Sequence, residues 1–169
     1  MNLFKLSLPL AVFFVALTFI GCDKAPDCDL PALDTRNSCD GPASTDGLSS
    51  KQLILNYLSD NNITAQETST GLFYSIIDEG SSERPVLGND VTVDYSGYFR
   101  NGCSFDANNG ITFGLLNLIT GWQEGIPLVG ICGKIQLFVI PELGYGASPP
   151  VGIPADEPLI FDINLLDFE

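Results

Sequence analysis

The sequence predicts an α+β fold: an antiparallel β-sheet wrapped around a short helix, preceded by a short N-terminal helix. Three observations support it. From Gly71 onward apolar residues recur with a period of two, as strands with one buried face require. Gly121-Trp122-Gln123-Glu124-Gly125 is bounded by glycines, is followed by Pro127 and has room for only one or two helical turns. Before the strands, Leu53, Ile54, Tyr57 and Leu58 make a helical stripe behind Ser49 and Ser50, which suit an N-cap.

The chain starts weakly positive at Lys5, and Leu6 to Ile20 is a nearly unbroken apolar run of 15 residues. That is the length of a signal-peptide core and is shorter than the ~20 residues that span a bilayer. The run ends in Phe19-Ile20-Gly21-Cys22. This resembles the lipobox of bacterial lipoproteins, in which a small residue precedes the cysteine that is lipidated. The resemblance implies that residues 1–21 are a lipoprotein signal peptide and that Cys22 is the lipidation site. A membrane anchor there would leave the domain in the cell envelope, outside the cytoplasm. A plain secretory signal with a chance cysteine is the alternative. Each buried acyl methylene contributes ~0.8 kcal/mol, so several chains anchor firmly.

Residues 22–47 are rich in Asp, Pro, Ser, Asn and Gly and read as a flexible tether. The helix at 48–62 stops at Asn61-Asn62, and its stripe suits either packing on the main domain or a homodimer contact through 49–60. In the domain at 71–169, Leu72 to Ile77 is an apolar stretch closed by Asp78-Glu79-Gly80. Val91 to Ser96 alternates strictly, and Asn101-Gly102 then signals a hairpin. A further strand runs from Lys134 to Ile140, and the last alternates Leu159, Phe161, Ile163 and Leu165 against Asp162 and Asn164.

Composition excludes several chemistries. Seven basic against twenty-one acidic side chains give a formal net charge of −14, which argues against nucleic acid as a partner. There is no histidine, so His-based acid–base catalysis, Ser-His-Asp triads and His-ligated metals are excluded. The five cysteines are Cys22, Cys28, Cys39, Cys103 and Cys132, without a CxxC. Cys28 and Cys39 flank a polar stretch and are spaced to close a small loop. Cys103 and Cys132 lie within the domain, either bridged or as free, small apolar residues. No nucleophile–base pair, phosphate-binding glycine pattern, cofactor site or metal site is indicated, and Asp156-Glu157 reads as a solvated turn. What the domain does hold is aromatics at special places.

Five stretches carry a resemblance. They are Asp94-Tyr95-Ser96-Gly97, Asn101-Gly102-Cys103-Ser104-Phe105-Asp106, Leu118-Ile119-Thr120-Gly121-Trp122-Gln123-Glu124-Gly125, Ile140-Pro141-Glu142-Leu143-Gly144-Tyr145-Gly146 and Leu159-Ile160-Phe161-Asp162-Ile163-Asn164-Leu165-Leu166. In this order and spacing the domain resembles an FKBP-type peptidyl-prolyl cis-trans isomerase, and the preceding helix is similar to the N-terminal extension of exported bacterial members. The resemblance implies a pocket for the proline ring floored by Trp122 and walled by Tyr95, Phe105 and Phe161. Asp106 would orient a neighbouring ring by accepting a hydrogen bond, and Tyr145 would donate its hydroxyl to a carbonyl near the amide. Leu118 and Ile119 would line one side, with the Ile119 N–H facing a substrate carbonyl, and Ile153 would sit on a closing loop. Ile111 stands where the family has a pocket aromatic, which Phe113 partly replaces. Ala107-Asn108-Asn109 offers no arginine to partner Asp106, and Ser148-Pro149-Pro150 follows Tyr145. These departures bear on rate and on preference for the residue before proline. The implied partners are proline-containing polypeptides, exported proteins whose folding the domain would assist. A non-catalytic proline-peptide-binding or chaperone lipoprotein of the same fold is the alternative.

Overall fold

The computed structural model describes residues 47–169. The expected signal peptide, Cys22, the Cys28–Cys39 loop and all but the last residue of the expected tether lie outside them. The N-terminal helix α1 spans Ser50–Asp60, and the Ser49 side chain accepts from the Gln52 N–H as its N-cap. Asn61 closes the helix, and Asn62 takes a left-handed backbone (φ 55°) that turns the chain away.

Six strands follow: β1 (Gln66–Glu67), β2 (Phe73–Asp78), β3 (Asp90–Tyr98), β4 (Ser104–Gly114), β5 (Lys134–Val139) and β6 (Leu159–Phe168). They form one sheet in the order β1-β2-β5-β6-β3-β4, with every neighbouring pair antiparallel. Between β4 and β5 lies α2 (Thr120–Gly125), flanked by single 3₁₀ turns at Leu115–Asn117 and Ile126–Leu128. The expected α+β architecture is therefore the one found.

Two strands have no counterpart in the periodicity, the two-residue β1 and the long β4. β4 runs for eleven residues and is mostly exposed along Asp106–Gly110. An edge strand that buries little on either face carries no alternating apolar signal. The Asn101-Gly102 turn does join β3 to β4, within a five-residue loop rather than a two-residue one. The Phe99 N–H donates to the Cys103 carbonyl, and Gly102 (φ 83°) donates to that of Phe99.

The sheet has two apolar faces. On the inner face Val91, Val93, Ile135, Leu137, Val139, Leu159, Ile163 and Leu165 pack with Leu115, Ile126 and Val129 beneath α2. The outer-face residues Phe73, Phe138 and Ile160 are also buried, because Ile54 and Leu58 of α1 cover them. The helical stripe thus packs on its own domain. Beside it a polar group is enclosed: the Gln136 Nε2 donates to the Tyr98 hydroxyl (2.8 Å) and to an Asp162 oxygen (2.7 Å). Burial holds the Asp162 carboxyl above its ordinary value, opposed by the Gln136 and Tyr98 hydrogen bonds.

One feature corrects the sequence reading. Glu157 is no solvated residue: it is 4 % exposed, and its Oε1 lies 3.2 Å from the Arg100 Nε. Cys103 and Cys132, for which bridged and free states were both open, are disulfide-bonded.

Candidate active site

Helix α2 is only six residues long and approaches the sheet closely because of its glycines. A Cβ on Gly121 would lie 2.8 Å from a Val139 methyl, and one on Gly125 would lie 2.6 Å from Leu137. These two positions, four apart, face β5 and let the helix backbone rest on the strand. That docking orients Trp122, which is 4 % exposed.

Aromatic rings stand around the indole. Tyr95 lies 5.1 Å away between centroids at 80°, Phe161 5.3 Å away at 89°, and Phe113 6.2 Å away at 81°. Phe105 continues the cluster from Phe161 (5.6 Å, 88°), and Phe99 packs on Phe105 at 5.0 Å. Edge-to-face pairs of this kind contribute about 0.5–1.5 kcal/mol each beyond the area they bury. The strand register assembles them. Gly97 on β3 lies opposite Phe161 on β6 and Asp106 on β4, while Tyr95 lies opposite Ile163 and Asn108. Gly97 is required here, since a Cβ would sit 2.6 Å from the Phe105 Cζ and 2.9 Å from the Phe161 Cε1.

The same register brings Asp106 to Tyr95, whose hydroxyl donates to the Asp106 Oδ2 at 2.7 Å. Burial first, and then the bond to Asp106, push the Tyr95 phenol well above its ordinary range, so it stays a donor at neutral pH. Tyr145 lies nearer solvent, at 39 % exposure, and its hydroxyl has no hydrogen-bond partner among the described residues. Burial and then the Asp106 charge raise its pKa too.

Ile119 caps α2 with its carbonyl, which accepts from the Trp122 and Gln123 N–H groups at 2.9 and 3.1 Å. No described group engages the Ile119 N–H. Gln123 holds this approach in place through its Nε2, which donates to the Leu118 carbonyl (2.7 Å) and the Leu116 carbonyl (3.1 Å). Leu118, Ile119, Ile111, Phe113 and Ile153 are partly buried against the main core. Ile153 lies on the β5–β6 connection, which the Asp156 N–H ties to the Gly146 carbonyl (3.0 Å).

The structure thus gathers Trp122, Tyr95, Phe105, Phe161, Phe113 and Asp106 into one cluster. Ile111, opposite Val93, is on β4 beside it, and the exposed Tyr145 stands close enough to Asp106 to feel its charge. Sequence reasoning missed Phe99, Gln123 and the Arg100–Glu157 pair. Phe99 continues the Tyr95–Gly97 alternation and could have been found by it; the other two depend on contacts made across the fold. A separate groove of about 440 Å³ runs beside β2, lined among others by Gln66, Tyr74 and Glu79, and shares no residue with this cluster.

Comparison with known proteins points in the same direction. Residues 81–166, about half the chain, match the family model described as FKBP-type peptidyl-prolyl cis-trans isomerase. The chain is 43 % identical over 108 residues to the FKBP-type peptidyl-prolyl cis-trans isomerase FkpA of Buchnera aphidicola subsp. Schizaphis graminum, covering 61 % of this chain and 43 % of that protein. It is 38 % identical over 104 residues to FkpA of Escherichia coli K12, covering 59 % and 38 %. The crystal structure of Escherichia coli FkpA superposes with a TM-score of 0.65 at 32 % identity, over 70 % of this chain and 58 % of that one. The chain spans about two fifths of the length of these curated relatives.

Proposed function

The chain belongs to the FKBP-type peptidyl-prolyl cis-trans isomerase family, and on that footing we propose that its domain catalyses rotation about peptide bonds preceding proline. The observation that carries the proposal is the ring cluster around Trp122, with the Tyr95 phenol held by Asp106 at 2.7 Å.

The chemistry suits a site without an acid–base pair. Amide resonance creates a barrier of roughly 18–20 kcal/mol, and X–Pro exchange takes tens of seconds or more. No bond needs to break. The proline ring rests on the Trp122 face between Tyr95, Phe105 and Phe161. There the apolar walls strip water from the amide carbonyl and weaken the charge-separated form that keeps the bond planar. The Ile119 N–H and the Tyr145 hydroxyl, both without partners among the described residues, donate to the flanking carbonyls. Phe113 and Ile111 bound the side facing the residue before proline, and Ile153 and Leu118 bound the rim. Binding the twisted amide better than either planar form lowers the barrier, and about 7 kcal/mol corresponds to about 10⁵-fold.

The test is a protease-coupled proline-switch assay on the purified chain, with Tyr145→Phe and Asp106→Ala beside it. Catalysis by the wild type, reduced in both variants, is expected. A wild-type rate equal to the uncatalysed one would overturn the enzyme reading and leave a proline-peptide-binding or chaperone protein of the same fold.

The setting belongs to the same proposal. Cys22 behind the apolar run supports a lipid-anchored protein of the cell envelope whose clients are exported chains. Incorporation of labelled palmitate into the wild type but not into Cys22→Ser is expected, and equal labelling of both would refute the anchor.

A further inference from the structure

The buried pair of Arg100 and Glu157 has no part in the chemistry above, yet its two ends stand on two segments that bound the proposed pocket. Arg100 lies in the β3–β4 loop. Its neighbour Phe99 packs on Phe105 at 5.0 Å, and Phe105 and Asp106 lie at the start of β4. Glu157 is 57 positions further along, in the connection 140–158 between β5 and β6 that also carries Ile153. The Arg100 Nε donates to the Glu157 Oε1 at 3.2 Å, and the two side chains are 11 % and 2 % exposed.

The segment before Glu157 is held mainly by itself. Between Ser148 and Asp156 the hydrogen bonds among the described residues are local. The Ile153 N–H donates to the Pro150 carbonyl (3.2 Å), and the Asp156 N–H to the Gly146 carbonyl (3.0 Å). Val151 at its tip is fully exposed. Asp156 takes a left-handed backbone (φ 57°), uncommon for a residue with a side chain, and the next residue, Glu157, enters the interior. A carboxylate buried there needs a partner. A buried ion pair adds little net stability over an apolar pair of the same shape, but its hydrogen bond accepts only a narrow range of distance and angle. Such a bond is suited to fixing position.

We propose that Arg100 and Glu157 are positioning residues of the isomerase site, whose bond holds the Ile153 segment against the hairpin that carries Phe105 and Asp106. The inference rests on the isomerase reading, and neither residue touches the substrate. Tyr145 is held separately, because the Gly144 and Gly146 N–H groups on either side of it donate to the Pro141 carbonyl (3.0 and 2.9 Å). Breaking the Arg100–Glu157 bond therefore loosens the rim and leaves the hydroxyl donor in place. A loose rim must be ordered when a peptide binds, and that ordering weakens binding. It weakens planar and twisted amide alike, which raises KM and leaves kcat near its wild-type value.

The test compares the full chain as wild type, as Arg100→Met with Glu157→Leu, and as Glu157→Gln. The apolar pair keeps the burial without the directed bond, and Glu157→Gln keeps an acceptor oxygen for Arg100. A proline-switch assay gives kcat and KM separately, and hydrogen exchange with mass spectrometry reads the amides of residues 147–157. In the double variant KM should rise about 2–10-fold, the loss expected from ordering one more side chain, with kcat unchanged and exchange of the segment faster. Glu157→Gln should recover most of both. Unchanged exchange in the double variant overturns the proposal, and so does faster exchange with an unchanged KM. If the double variant does not fold, Arg100→Lys, which keeps the charge but loses the planar fork, is held to the same two outcomes. A wild type without isomerase activity overturns the enzyme reading alone. The pair is then decided by exchange and by affinity for a proline-containing peptide, read from the emission of Trp122, the single tryptophan; an affinity equal in wild type and double variant overturns it.

Discussion

At Gly97 a single methyl group is expected to disrupt the ring cluster around Trp122. With the Phe105 and Phe161 rings 2.6 and 2.9 Å from where it would sit, Gly97→Ala must push two packed rings apart. Overpacking of this kind costs about 1–3 kcal/mol. The urea midpoint should fall with the slope unchanged, and isomerisation should fall with it. The Tyr95–Asp106 bond makes a second residue-scale prediction, because its two ends differ in burial. Tyr95 is 6 % exposed whereas Asp106 is exposed. Asp106→Ala leaves a buried hydroxyl unsatisfied, at about 1–3 kcal/mol. Tyr95→Phe leaves a carboxylate that water can solvate, so only the bond is lost, at about 0.5–1.5 kcal/mol. Chemical denaturation of both variants checks the order, and equal losses would show that the hydroxyl finds another partner.

Among the elements, α1 and the β5–β6 connection decide how the sheet is closed. Without α1 the outer face would present Phe73, Phe138 and Ile160 to water. Ile54 is 1 % exposed, and Ile54→Ala should cost about 2–5 kcal/mol, which is large beside the ~5–15 kcal/mol that holds a domain folded. The Arg100–Glu157 pair joins the β3–β4 hairpin to the β5–β6 connection, with side chains 11 % and 2 % exposed. Burial lifts the Glu157 carboxyl above its ordinary value, and the Arg100 charge and hydrogen bond oppose that rise. Arg100→Met alone strands a buried carboxylate and should cost about 3–5 kcal/mol, whereas Arg100→Met with Glu157→Leu should lose much less. A double-mutant cycle on thermal or urea stability measures the difference.

For the whole molecule, the pH dependence of stability follows from the half-buried Asp162 beside Tyr57 of α1. The Asp162 carboxyl is raised above 3.8, so the folded chain binds this proton more tightly than the unfolded chain does. Its contribution is fully present below the unfolded value and is lost as pH rises through the folded one. Asp162→Asn removes the titration. Stability of the variant relative to wild type should therefore improve between about pH 3.5 and pH 7, as read from urea midpoints. No change in that difference would place the carboxylate in contact with water.

By itself the sequence determined which residues face inward, and where α1 is capped and where it stops. Each of these is written in local order: a period of two, a period of 3.6, a serine before a stripe. The family motifs likewise marked Trp122, Tyr95, Phe161 and Asp106 before any coordinate did. Tertiary structure alone decided that Asn108 and its neighbours form an edge strand, because a strand exposed on both faces leaves no apolar pattern. It alone turned Glu157 from a turn residue into a buried partner of Arg100, 57 positions away. It also made Gly97 the seat of two rings, and gave the α1 stripe its own sheet to cover. The physical reason is the same in each case. Periodicity records how a segment meets its nearest layer, whereas the sheet order β1-β2-β5-β6-β3-β4 brings together segments whose order along the chain carries no mark of their meeting.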